Sequence, residues 1–238
     1  MRKNWLGSSA KVRKSLGWSV YTPVMYFDPS VKGICPYKGK CALSCLGPNS
    51  GRGVMNNVRK SRNAKTIEYL SNVPEATAAI IADVLRHERY ATKRGYTYMP
   101  RLNGTSDIDF SKVYDALPHV NFYDYTKNVQ AYRAWMLSPR PNHHLTLSYD
   151  PSTVNMAVCL SVLADGGSVA IVMDTDTLPD TYQGYRVVNG DLFDARPLDR
   201  QVFNIPHGEG YWVALTLKGT LRAKQLARET GFAIPVNV

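Results

Sequence analysis

Apolar positions along the chain separate into strand-like runs and helix-like periods. VYTPVMYF at 20–27 is rich in β-branched and aromatic residues and predicts a first strand. A short helix is expected around Lys65 to Leu70. PEATAAIIADVLRHERYATKRG follows, with Pro74 in its first turn, Ile80, Ile81, Val84 and Leu85 on one face, and Gly95 as a stop; it is the clearest helix of the chain. Strands are then expected at 96–104, 119–125, 143–149 and 168–174. Between them lie helices at 111–117, from Asn128 through VQAYRAWML, and from Ser152 through TVNMAVCLSVLADGG. SVAIVMD at 168–174 is almost wholly apolar, as a strand buried on both faces should be. YRVVNGD and YWVALTLKG add two strands, and LRAKQLARETG a last helix.

Repeated strand–helix units imply parallel pairing through right-handed crossovers. The expected fold class is therefore α/β: a partial (β/α)6-type barrel or an open parallel sheet. Residues 1–18 are expected as a basic arm, and 19–238 as one domain with a cysteine-bearing loop at 33–53 after the first strand. Either architecture places function at the carboxyl ends of the strands.

Composition narrows the setting. No apolar run approaches the roughly 20 residues of a membrane span, so no membrane association is expected. The basic start has no hydrophobic stretch behind it, which predicts a cytoplasmic protein with reduced cysteines. The net charge of +10 is local. Residues 1–66 carry thirteen Lys or Arg against the single acid Asp28, whereas the remainder carries 16 basic and 18 acidic residues. Clustered cations of this kind suit nucleic acid or a nucleotide as partner, through phosphate neutralisation and counterion release. The nearest phosphate-holding candidates are Arg52, Arg59 and Arg62. No G-x-S-x-G elbow, Walker A loop or G-x-G-x-x-G is present, which disfavours serine hydrolase, P-loop and Rossmann dehydrogenase chemistry.

At the predicted strand ends, NGTSD (103–107) is followed in the chain by Asp124, Thr126, Lys127, Ser148, Asp150, Asp174 and Asp176. Asn103 and Ser106 are candidate substrate-binding residues, and Asp107, Asp124 and Lys127 candidate catalytic ones. Gly104 would let backbone approach closely. Helix capping also uses such residues, and it is the plainer explanation for any one of them. VVNGDLFDARPLD carries a strong turn signal and is expected to be structural.

Three of the four cysteines lie in CPYKGKCALSC, spaced C-x5-C-x3-C. Structural zinc wants four protein ligands, commonly from paired CxxC motifs, which are absent. Three thiolates suit a [4Fe-4S] cluster with one open iron position, with zinc the alternative. Cys35, Cys41 and Cys45 are the candidate metal ligands; Cys159, among apolar residues, is expected in the core.

CALSCLGPNSGRGVMNNVRKSRNAKT, PRLNGTSDIDF, VNFYDYTKN, VVNGDLFDARPLD and LTLKGTLRAKQLARETGF together resemble a phage family known as gene-product-88-like, over residues 20–233. That resemblance implies a protein of the phage-infected host cell. The cysteine loop after the first strand is also similar to that of radical SAM enzymes, partial (β/α)6 barrels whose cluster binds S-adenosylmethionine on its open iron. Their usual spacing is C-x3-C-x2-C. A third similarity, to barrel transglycosylases that exchange a guanine base in tRNA or DNA, implies Asp107 and Asp124 as nucleophile and base-contacting residue. The readings to be weighed are a radical-SAM-like iron–sulfur enzyme, a base-modifying enzyme with zinc or no metal, and a non-enzymatic nucleic-acid-binding protein.

Overall fold

The computed structural model describes residues 4–7 and 10–236. Part of the expected basic arm, residues 1–3 and 8–9, lies outside them. The central sheet runs in the order Phe122–Thr126, His143–Ser148, Ser168–Asp174, Tyr211–Thr216, Tyr185–Asn189, Thr181–Tyr182, with Ala233–Pro235 also pairing on 168–174. Its pairings are parallel except for the 181–182 hairpin.

Beyond Phe122–Thr126 the ladder continues through two irregular runs. Tyr123 donates its N–H to the Pro100 carbonyl, while Thr97, Met99 and Arg101 donate to Ser19, Tyr21 and Pro23. Runs 20–25, 97–101, 122–126, 143–148 and 168–174 thus lie side by side in chain order, followed by 211–216. This is the winding of a (β/α) barrel, but the sheet stays open because 185–189 and its hairpin continue past 211–216.

Three elements differ from the sequence expectation. The first strand is broken into Val20–Tyr21 and Val24–Met25, because Pro23 has no N–H for the ladder. Pro100 likewise limits the next one to Thr97–Tyr98. The short helix expected near Lys65 is a sixteen-residue helix, Asn56–Ser71. Its few apolar side chains, Val58, Ile67, Tyr69 and Leu70, are scattered round the helix rather than gathered on one face, so no apolar period announces it.

One face of the sheet is covered by helices. Ile80 and Val84 of Val73–Lys93 and Val113 and Tyr114 of Ser111–Ala116 pack with Phe122. Tyr132 of Val129–Leu137 and Val162 and Leu163 of Met156–Ala164 pack with Leu145, Leu147, Val169 and Ile171. The other face, with Tyr123, Ala170, Tyr211 and Val213, is covered by the chain between 190 and 206, through Phe193, Ala195, Phe203 and Ile205. The reversal of strand order explains this. From 185–189 the chain returns inward to 211–216, and a right-handed crossover taken in that direction falls on the opposite face. The space that would be a barrel interior is therefore occupied by the protein's own chain.

VVNGDLFDARPLD thus has a structural role. Arg196 is fully buried with its guanidinium 3.4 Å from Asp199, and Asp194 accepts from the Tyr123 hydroxyl at 3.0 Å. The described part of the amino-terminal segment is also packed into the body. Trp5 is fully buried, and the Trp5 and Leu6 N–H groups donate to the buried Asp83 carboxylate at 2.8 and 2.9 Å.

Candidate metal centre

The loop between Val24–Met25 and Asn56–Ser71 crosses the carboxyl ends of the sheet and carries the three cysteines. Cys35, Cys41 and Cys45 are unbridged and half-buried. They are mutual neighbours: the Cys35 thiol feels both of the others, and all three feel the Lys127 ammonium at the end of Phe122–Thr126. Among the described residues, no three His, Cys, Asp or Glu side chains close around a single metal ion.

Two carboxylates bind the loop to the strand ends. Asp150, fully buried just after His143–Ser148, accepts the N–H groups of Lys40 and Cys41 at 3.1 and 2.9 Å, and the N–H and hydroxyl of Ser152 at 3.0 and 2.7 Å. Gly39 is required beside it, since a Cβ there would overlap the Asp150 carboxylate. Asp107 donates its N–H to the Ile34 carbonyl, next to Cys35, and its carboxylate accepts from the Thr126 hydroxyl and the Lys127 N–H, both at 2.8 Å.

On the other side, Asn56–Ser71 grips the loop. Arg59 donates to the carbonyls of Gly53 and Pro48 at 3.0 and 2.8 Å, and Arg62 donates to the Gly47 carbonyl while lying over the Tyr26 ring. Gly53 packs so closely on Gly47 that any Cβ would collide with its carbonyl. Thr220, ahead of the Leu221–Glu229 helix, adds a bond from its N–H to the Asn49 carbonyl at 3.0 Å.

Burial sets the thiol chemistry. It pushes Cys35 up to about 11, opposed by Lys127, and raises Cys41 and Cys45 as well. The nearby backbone N–H groups of Gly39 and Gly47 act the other way on Cys41 and Cys45, favouring their thiolates. Without a cation the three groups are neutral thiols at pH 7, so a metal must displace their protons. Burial also raises Asp107. Burial opposes ionisation of Asp150, yet the hydrogen bonds of Ser152, Cys41 and Lys40 outweigh it and hold the carboxyl near about 2.

The other expected site residues are placed around this centre in different ways. Asn103 and Ser106 are buried and bonded to each other at 2.8 Å, closing the NGTSD turn beneath Asp107. Gly104 lies against Met25 and Val24, where a Cβ would not fit, so its close approach is to a strand. Asp124 sits on the helix-facing side, accepting from the Asn103 N–H, the Tyr114 hydroxyl and the His143 ring at 2.6, 2.7 and 3.3 Å. Arg52 is exposed, whereas the guanidinium groups of Arg59 and Arg62 are engaged with loop carbonyls. Cys159 is buried in the core. Sequence reasoning noted Asp150 only as one strand-end residue; its D-x-S spacing is the sole local signal of its anchoring role. Two open clefts of about 400 and 460 Å³ lie along the 181–188 edge, and no cysteine-loop residue lines them.

No helix among the described residues is long and apolar enough to cross a membrane. A family model described as Gene product 88 matches residues 3–233. No curated protein and no solved structure matches the chain.

Proposed function

We propose that this chain, which belongs to the Gene product 88 family, is a phage iron–sulfur protein in which Cys35, Cys41 and Cys45 hold a [4Fe-4S] cluster over the carboxyl ends of the sheet. The observation that carries this is the braced loop: three neighbouring, half-buried thiols gathered about one ammonium. The donor set fits the cluster in kind: three neighbouring cysteines with a lysine to offset negative charge.

When bound, such a cluster supplies one iron without a protein thiolate, where a small molecule such as S-adenosylmethionine can coordinate. Lys127 then stands ready to neutralise an anionic group of that ligand. Asp107 positions Lys127 through its backbone N–H and keeps Cys35 in place through Ile34. Asp124, with three hydrogen bonds on the helix side, supports the NGTSD turn. The substrate or partner is nucleic acid or a nucleotide, drawn by the basic segment that contains the cysteines.

A second reading, in which the cluster organises a nucleic-acid-binding surface without catalysis, is favoured by the filled interior. Base exchange through an aspartate has less support, because both Asp107 oxygens accept hydrogen bonds. The deciding experiment is anaerobic reconstitution of each single Cys→Ala variant. Loss of the visible absorbance in all three supports the assignment, and its retention in all three refutes it. Cleavage of S-adenosylmethionine by the loaded protein separates the first reading from the second.

A further inference from the structure

We propose that the Ser44 hydroxyl donates a hydrogen bond to the iron–sulfur cluster and raises its reduction potential; this rests on the cluster reading above and deepens it. Ser44 lies between two of the candidate ligands, Cys41 and Cys45, and is 4% exposed. Its Oγ has no hydrogen-bond partner among the described residues. In the 33–53 loop it is the only buried side-chain nitrogen or oxygen in that condition. Polar side chains around it are satisfied: Thr105 donates to the Phe27 carbonyl, Asn49 to the Cys45 carbonyl, and Ser152 to the Asp150 carboxylate. Buried hydroxyls are nearly always bonded, so one that meets no protein group is a candidate donor to a bound one.

Backbone geometry says which way this hydroxyl faces. Lys40–Ala42 is a 3₁₀ turn, and the Ser44 N–H continues it by donating to the Cys41 carbonyl at 3.2 Å. Side chains three residues apart in such a turn eclipse one another. Ser44 therefore shares a side with Cys41, whose thiol neighbours that of Cys35. The turn rises about 6 Å over three residues, in keeping with a hydroxyl that bonds to none of the thiols themselves. A cluster bound through Cys41 presents sulfur acceptors beyond that thiol, and a serine hydroxyl has one proton to give them. One-electron reduction makes the cluster more negative, so a donor at its sulfurs stabilises the reduced state more than the oxidised one. Negative charge from Asp107 and Asp150, which acts on Cys35 and Cys41, works in the opposite sense. Ser44 offsets part of it.

The test is redox titration of the reconstituted full chain with dithionite as electron donor, with iron and sulfide content measured on the same samples. Ser44→Ala should leave iron content unchanged and lower the equilibrium constant for one-electron reduction on the order of tenfold, about 59 mV towards more negative potential. Ser44→Thr, which keeps the hydroxyl, should stay near the parent value. The metal-free form of Ser44→Ala should keep the parent's urea midpoint, because the hydroxyl bonds to no protein group there. An unchanged potential in Ser44→Ala overturns the assignment while leaving the cluster in place. So does loss of iron from that variant, or a lowered urea midpoint of its metal-free form, since either makes the residue structural. A parent chain without iron and sulfide overturns the cluster reading, and this assignment with it.

Discussion

Asp150→Asn is the sharpest perturbation of the cysteine loop. It keeps shape and removes one charge. Asp150 Oδ1 accepts from Lys40 N–H, Ser152 N–H and Ser152 hydroxyl, and Oδ2 from Cys41 N–H. An asparagine has one oxygen, so its NH2 must face at least one of these donors. A charge-assisted bond in a buried site contributes about 1.5–3 kcal/mol, and an unpaired N–H adds to the loss. The expected fall in unfolding free energy is about 2–3 kcal/mol, a large share of the 5–15 kcal/mol typical of a domain. Because Cys41 loses its backbone anchor, iron retention should fall about 10–100-fold, as for other partners that orient metal ligands. Urea denaturation followed by circular dichroism reads the first effect, and competition with an iron chelator the second. Ser152→Ala, which keeps the charge, should cost about 1 kcal/mol. An Asp150→Asn protein equal to the parent in both assays would refute the anchoring argument.

Other outcomes follow from the same geometry. Gly53→Ala should abolish iron retention, since its methyl would collide with the Gly47 carbonyl; chelator competition against the parent protein checks this. Assembling the cluster on the metal-free chain near pH 7 should release protons from the three thiols as well as from the added sulfide, read by alkali titration, and Cys159→Ala should release the same number as the parent. Burial, with nearby cations, lowers His144 from 6.5 to about 3. The folded state therefore refuses a proton that the unfolded state accepts below pH 6.5. Stability should be fully present above pH 6.5 and fall by about 1.4 kcal/mol per unit as pH drops towards 3. Comparing urea midpoints of the parent and His144→Gln between pH 7 and 5 isolates this slope.

Much of the sheet was legible. Strands 122–126, 143–148, 168–174 and 211–216 announce themselves because buried parallel strands need apolar, β-branched runs. The three-cysteine loop was equally visible, whereas the close approach at Gly104, expected at a site, is made against Val24 and Met25. The filled interior was not, because the placement of 190–206 follows from strand order and crossover handedness, neither of which leaves a local pattern. Asn56–Ser71 was under-read because its helix is fixed by Arg59 and Arg62 gripping a loop rather than by an apolar face. Asp124 has the composition of a strand-end site residue, yet alternation along the strand turns it to the helix side. The role of Asp150 depends on a partner 109 residues away, Cys41, and no spacing rule reaches that far.

The central claim is that the braced loop holds a four-iron cluster. The most direct measurement is iron, zinc and sulfide content of anaerobically purified protein, together with its visible spectrum. The account predicts about four irons and four sulfides per chain with broad visible absorbance, lost when Cys35, Cys41 or Cys45 is replaced. A colourless protein with stoichiometric zinc, or with no metal after reconstitution, would contradict it.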